Sequence, residues 1–196
     1  MDGAIILAGG QGERFKKKKQ FELIDGKEMW RFVYDKAVQV ISKEMTRVVG
    51  IDIPGGDTRS LSVYNGLMEL SENCKRVIII EAARPLVTVE QIKKSIERSE
   101  KSVTYALPLV NTVIGRDGTY YNRNEFYDLL TPQSFDFQLL REAYKTGKYK
   151  DTTDETVVMF REYGIKPYFL LEGENLLKVT YKRDMGIIQN LLRNGE

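Results

Sequence analysis

With 196 residues, 42% of them hydrophobic and 30% charged, the chain has the size and composition of one soluble domain. A net charge of +2 supplies no basic face for coating nucleic acid. The sequence has no histidine, which excludes Ser-His-Asp triads, histidine general bases and histidine metal sites, and its single cysteine, Cys74, excludes an internal disulfide. No apolar run nears the roughly 18 residues of a membrane span, and no leader precedes the first apolar segment, so a cytoplasmic setting is expected.

The chain opens on Ala4-Ile5-Ile6-Leu7-Ala8, an aliphatic run that predicts a buried strand. Gly9, Gly10 and Gly12 follow, then Arg14, then four lysines from Lys16 to Lys19. Glycines at a strand end let the backbone turn with its N–H groups free for an anion, and the cations beyond can neutralise a polyphosphate. The Walker string GxxxxGK[ST] is absent, and the third position of GxGxxG is Phe15. From these residues alone a phosphate loop and a solvated basic turn both stand.

Met29 to Ile41 carries a helical apolar stripe, and Arg47 to Ile53 reads as a strand. Pro54 to Ser60 is a second glycine-bearing loop, entering a helix over about Leu61 to Leu70 with Asp57, Ser60 or Ser62 as its cap. Arg76 to Ile80 is a β-branched strand running into Glu81-Ala82-Ala83-Arg84-Pro85. A carboxylate there sits where open α/β sheets bind ligands; Arg84 either pairs with it or binds phosphate. Val89 to Ser99 predicts a helix and Val103 to Val110 a strand, bent or edged at Pro108. Asp117-Gly118 between β-prone flanks marks a hairpin within Thr112 to Arg123. Leu130 to Phe135 leads into a helix through Tyr144, and Thr152-Thr153-Asp154-Glu155 starts another that ends near Gly164. Lys166 to Leu171 predicts a strand, Leu176 to Thr180 an extended piece, and Asp184 to Leu192 a final helix. Alternating strands and helices without a linker point to one three-layer α/β domain over residues 1–196.

Six strings in order, LAGGQGERF with KQF, GGDTRSLSVYNGL, EAARP, NRNEFYDLLTPQSF, TDE and LLKVTYKRDM, resemble the alditol-phosphate cytidylyltransferases. The types of that family are the 2-C-methyl-D-erythritol 4-phosphate and ribitol-5-phosphate cytidylyltransferases. The resemblance implies a Rossmann-like three-layer nucleotidyltransferase fold with a mainly parallel sheet and a short protruding β-arm over residues 110–127 that joins two subunits of a homodimer. It implies transfer of CMP from CTP to a small polyol or sugar phosphate, with Mg²⁺ as cofactor, for isoprenoid or surface-polysaccharide synthesis. Ala8, Gly9, Gly10 and Gly12, with Leu7 and Ala82 beside them, would hold the nucleotide; Gly56, Asp57 and Ser62 would recognise the base. Arg14, Lys19 and Lys178 would stabilise charge on the reacting phosphates, and Glu81 would meet the metal. Arg84, Thr112, Arg123, Thr153 and Lys178 would hold the acceptor, Thr112 and Arg123 reaching it from the arm. The chain departs from the family pattern in several places. Ile80-Glu81 replaces His-Asp, Lys18 replaces a proline, the arm is short, and a strand–helix segment before Gly55 is missing. These departures keep a second reading open, a nucleotide-binding homologue with impaired catalysis. A third, nucleic-acid binding through Lys16 to Lys19, has only that lysine run behind it.

Overall fold

The aliphatic run near the N-terminus becomes the strand on which the sheet is built. In the computed structural model, which describes residues 1–194, this strand is β1 (Asp2–Leu7), and its apolar core from Ala4 to Ile6 is fully buried. After the glycine loop come a small hairpin, β2 (Leu23–Ile24) and β3 (Lys27–Glu28), then helix α1 (Met29–Ala37). Next are β4 (Thr46–Val49), α2 (Arg59–Met68), β5 (Arg76–Glu81), α3 (Val89–Ile96) and β6 (Ser102–Pro108). An arm follows, β7 (Val113–Ile114) paired antiparallel with β8 (Tyr120–Tyr121). The chain returns through β9 (Tyr127–Asp136), α4 (Phe137–Lys145), α5 (Glu155–Tyr163), β10 (Tyr168–Leu170) and α6 (Asp184–Asn194).

Six strands form one sheet in the order β10-β6-β9-β5-β1-β4. Every neighbouring pair is parallel except the two that involve β9. Helices flank the sheet, and among the described residues none is long and apolar enough to cross a membrane. The main core is aliphatic: Ile78, Ile79 and Ile80 of β5 are fully buried, each burial contributing roughly 1.5–3 kcal/mol. A second, smaller apolar cluster of Phe15, Ile24, Met29, Leu86, Val179 and Ile188 fastens the glycine loop and α6 to the rest.

Several boundaries differ from those predicted. The strand expected over Arg47 to Ile53 ends at Val49, because Gly50, at φ +100°, turns the chain. The extended piece at Leu176 to Thr180 forms no strand. The largest correction is β9, which sequence reading treated as a lead-in to the helix. Its buried half, Leu130 to Phe135, contains Thr131, Gln133 and Ser134, so no apolar alternation betrays it. Those polar groups are bonded across the core. Gln133 donates to Thr104 Oγ1 and Asp154 Oδ2, both at 2.9 Å, and Ser134 donates to the Ser95 carbonyl at 2.6 Å. The α2 cap is Thr58, whose Oγ1 accepts from Leu61 N at 3.1 Å, and not Asp57, Ser60 or Ser62. The last two residues of the domain expected over 1–196, 195 and 196, lie outside the described residues.

Candidate active site

The order β5-β1-β4 sets the site. From β1 the chain crosses to β4 on one side, then back past β1 to β5 on the other, so the crevice beyond the C-terminal end of β1 is a topological switch point. A cavity of about 270 Å³ opens there. Three stretches wall it: Leu7 to Gln11 from the end of β1, Gly56 to Arg59 into the start of α2, and Glu81 to Ala83 from the end of β5. Arg14, Lys19, Gln20, Ser62 and Lys178 complete the lining.

Glycine is required where the walls crowd. Gly12 has φ +70°, and a Cβ there would lie 1.8 Å from the Lys17 carbonyl oxygen, so only glycine lets the loop close on itself. A Cβ on Gly50 would lie 2.6 Å from the backbone of Gly9, which fixes how closely the loops after β1 and β4 approach. Ala8 N donates to the Val49 carbonyl at 2.8 Å, and Gln20 Nε2 to the Gly10 carbonyl at 3.2 Å. Among the described residues, the N–H groups of Gly9, Gly10, Gln11 and Gly12 donate to no other protein group. Across the cavity, Ser62 Oγ accepts from Gly56 N at 3.0 Å and donates to the Thr58 carbonyl at 3.1 Å, ordering the turn that holds Asp57. That turn leads into the N-terminus of α2, a favourable place for an anion.

The lining carries four cations, Arg14, Lys19, Arg59 and Lys178, against two carboxylates, Asp57 and Glu81. Positive charge is therefore in surplus, as an anion site needs. Lys19 Nζ donates to the Val179 carbonyl at 2.5 Å. Burial foremost, then the charges of Lys178 and Arg14, lowers the Lys19 ammonium from its ordinary range, with Glu81 pulling the other way. Glu81 has its own N–H held by Thr131 Oγ1 at 3.2 Å. Its Oε1 lies 2.6 Å from Lys178 Nζ and 3.8 Å from Arg59 Nε, and its Oε2 lies 3.3 Å from Arg84 Nε. Burial alone would raise this carboxyl, but Lys178, then Arg84 and Arg59, outweigh it and hold it at about 2.

The structure thus gathers Leu7, Ala8, Gly9, Gly10, Gly56, Asp57, Ser62, Ala82, Arg14, Lys19, Lys178 and Glu81 on one cavity. Gly12 shapes the loop without lining that cavity. The remaining four lie elsewhere. Arg84, which sequence reading gave either to the acceptor phosphate or to an ion pair, is only 7% exposed; it pairs with Glu81 and donates to the Leu176 carbonyl. Thr153 is exposed on the turn before α5, outside the lining. Thr112 and Arg123 sit exposed at the base of the arm, where Arg123 donates to the Val110 carbonyl. Sequence reading missed Arg59, Gln20 and Phe15 although all three stand inside quoted motifs. Phe15, 2% exposed, anchors the loop that presents Arg14, and in the sequence it stands where GxGxxG has its third glycine.

A parallel-rich α/β sheet with a glycine loop, two lysines and the paired carboxylate of Glu81 at its switch point has the architecture of a nucleotidyltransferase. A family model described as 2-C-methyl-D-erythritol 4-phosphate cytidylyltransferase matches residues 3–194. The chain belongs to that family and is a cytidylyltransferase. It is 33% identical to the 2-C-methyl-D-erythritol 4-phosphate cytidylyltransferase of Thermotoga neapolitana over 225 aligned positions, covering 100% of this chain and 99% of the relative. The enzyme of the same name from Clostridium kluyveri is 31% identical over 226, covering 97% and 96%. In fold the chain is similar to the 2-C-methyl-D-erythritol 4-phosphate cytidylyltransferase of Thermus thermophilus, at TM-score 0.81 and 21% identity, covering 98% and 100%. The 4-diphosphocytidyl-2C-methyl-D-erythritol synthase of Anaerococcus prevotii gives 0.80 and 23%, covering 97% and 95%.

Proposed function

We propose that this chain transfers CMP from CTP to 2-C-methyl-D-erythritol 4-phosphate, the acceptor that its relatives' names carry. The observation that supports this most is the meeting of Lys19 and Lys178 with free loop N–H groups in one crevice. An oxygen of the acceptor phosphate attacks the α-phosphorus of CTP. The bond from that phosphorus to the α,β-bridging oxygen breaks, and pyrophosphate leaves with the electron pair. A phosphate monoester, with a second pKa of about 6, arrives already ionised, so a chain without histidine needs no general base. The residues act by position and charge. The N–H groups of Gly9 to Gly12 hold the triphosphate, Lys19 and Arg14 meet charge developing on it, and Lys178 neutralises the incoming phosphate.

Magnesium fits this donor set in one particular way. Among the described residues no three His, Cys, Asp or Glu side chains gather into a cage. The buried carboxylate of Glu81 suits a Mg²⁺ that takes its other ligands from water and polyphosphate. Bound so, the ion would neutralise charge on the triphosphate. The arm is the surface for a second copy: its Val110, Ile114, Tyr120 and Tyr121 are all exposed, apolar side chains gathered on and beside one short hairpin. In the dimer, Thr112 and Arg123 would reach the partner's acceptor.

Purified protein with CTP, Mg²⁺ and a panel of alditol phosphates, ribitol 5-phosphate included, tests the reading by pyrophosphate release. Release with 2-C-methyl-D-erythritol 4-phosphate and a CDP-linked product by mass spectrometry are expected. A melting shift with CTP but no product from any acceptor would mark a nucleotide-binding chain without turnover.

A further inference from the structure

Arg59 opens α2 on the wall of the cavity, yet its main partner lies on another helix. Nη1 and Nη2 donate to the two carboxylate oxygens of Glu155 at 2.7 and 2.9 Å, a forked pair. Glu155 is the first residue of α5 and is fully buried; Tyr144 Oη donates to its Oε1 at 2.9 Å. With both terminal nitrogens committed, the guanidinium plane is fixed, and the edge that remains, Nε, lies 3.8 Å from Glu81 Oε1. Arg84 Nε stands on the other oxygen, Oε2, at 3.3 Å. Two anchored guanidinium groups therefore bracket the carboxylate, whereas its third cation, Lys178, is a flexible side chain about one-third exposed.

We propose that Arg59, clamped by Glu155, is a positioning residue that keeps the Glu81 carboxylate in place on the cavity wall when Lys178 leaves it for a phosphate. The inference rests on the reading of Lys178 as a phosphate-binding cation. If Lys178 alone held Glu81, the carboxylate would be free to follow the ammonium toward the ligand and cancel the charge meant for the phosphate. Arg59 and Arg84 remove that freedom. The clamp is itself anchored. Thr58 Oγ1 donates to the Lys150 carbonyl at 2.6 Å, and Asp154, next to Glu155, is held by Gln133 at 2.9 Å. The same frame ties the cavity to the turn that carries Thr153.

Arg59→Ala alone would strand the buried Glu155 charge and damage the fold, whatever Arg59 does for Glu81. The test is the double variant Arg59→Gln/Glu155→Gln, which strands no charge and keeps amide hydrogen bonding, beside Arg59→Lys. The double variant is expected to melt close to wild type and bind CTP within about threefold, while kcat falls about 10²-fold, the cost of small misplacement at a reacting centre. Arg59→Lys, which restores the cation without the fork, should recover part of that loss. A readout without acceptor is amide hydrogen exchange at Ala82, bonded to the Leu7 carbonyl, and at Val179, bonded to that of Ala83. It should quicken about tenfold at both in the double variant, with the amides of β1 and β4 unchanged. A folded double variant with wild-type kcat, or unchanged exchange at Ala82 and Val179, overturns the proposal. A wild-type protein that turns over no acceptor would overturn only the reading of the reaction, since the exchange measurement still judges Arg59.

Discussion

Replacing Lys19 by methionine removes an ammonium while keeping an apolar stem of similar length. In the nucleotide-free protein that ammonium sits near Lys178 and Arg14, and its burial and their charges lower its proton affinity below the ordinary 10.5. The unfolded chain therefore binds more protons than the fold between the lowered value and 10.5, so stability rises with pH across that window, and below it the penalty is fully present. Methionine carries no such penalty but leaves the Val179 carbonyl without its Lys19 donor, so K19M should melt close to wild type at neutral pH. Activity should fall. A unit charge about 4 Å from the developing charge, at an effective dielectric of about 20, contributes about 4 kcal/mol. Measured losses of one preorganised donor run to about 10²–10³ in kcat. K19M should fall in that range, with the KM for CTP changed less. Initial rates of pyrophosphate release, followed from about pH 6 to about pH 10, add a second check. Wild-type kcat/KM for CTP, which reads the free protein's ionisation, should decline on the alkaline side at a pH below 10.5, and Lys19→Arg, which keeps its proton, should move that decline upward. The reasoning is refuted if K19M turns over within about threefold of wild type, or if its loss of rate tracks a loss of folded protein.

Gly12→Ala and Gly10→Ala should part company. A Cβ at Gly12 meets the Lys17 carbonyl at 1.8 Å and must break the loop, so the CTP-induced melting shift disappears, whereas a Cβ at Gly10 meets nothing within 4 Å. Gly10→Ala should keep its melting temperature and weaken CTP binding about tenfold, by crowding the ligand alone; equal effects at the two positions would contradict the loop geometry. Glu81, held at about 2 against an ordinary 4.5, contributes stability that is present above 4.5 and lost as pH falls from there toward 2, on the order of 3 kcal/mol. Acid unfolding in metal-free buffer should show that slope in wild type and lack it in Glu81→Gln. Sedimentation should give a dimer, and removing the hairpin Val113 to Tyr121 should give a monomer with a folded sheet; a monomeric wild type would take Thr112 and Arg123 out of the site.

What was legible in the sequence follows from where information sits along the chain. Strands β1 and β5 are buried on both faces and read as unbroken aliphatic runs, and the glycines and lysines beyond β1 mark a turn that fits either an anion or solvent. Much of the cavity wall is built from such local strings, so most of its lining residues stand together in the sequence. Other features depend on tertiary partners. Strand β9 hides because Thr131, Gln133 and Ser134 are buried polar groups whose bonds reach Glu81, Thr104, Asp154 and Ser95, none of them near in sequence. The sequence leaves Arg84 between pairing with Glu81 and binding phosphate, because the Leu176 carbonyl that also engages it lies 92 positions away. Arg59 shows its meaning only beside Glu155, 96 positions on. Phe15 looks like a failed glycine position until Val179 and Ile188 close over it.

A crystal structure with CTP and Mg²⁺ tests the central claim most directly. The triphosphate should lie against the N–H groups of Gly9 to Gly12, with Lys19 and Lys178 on its oxygens and Glu81 still bracketed by Arg59 and Arg84. A nucleotide bound elsewhere, with that turn empty and Lys178 still paired to Glu81, would contradict it.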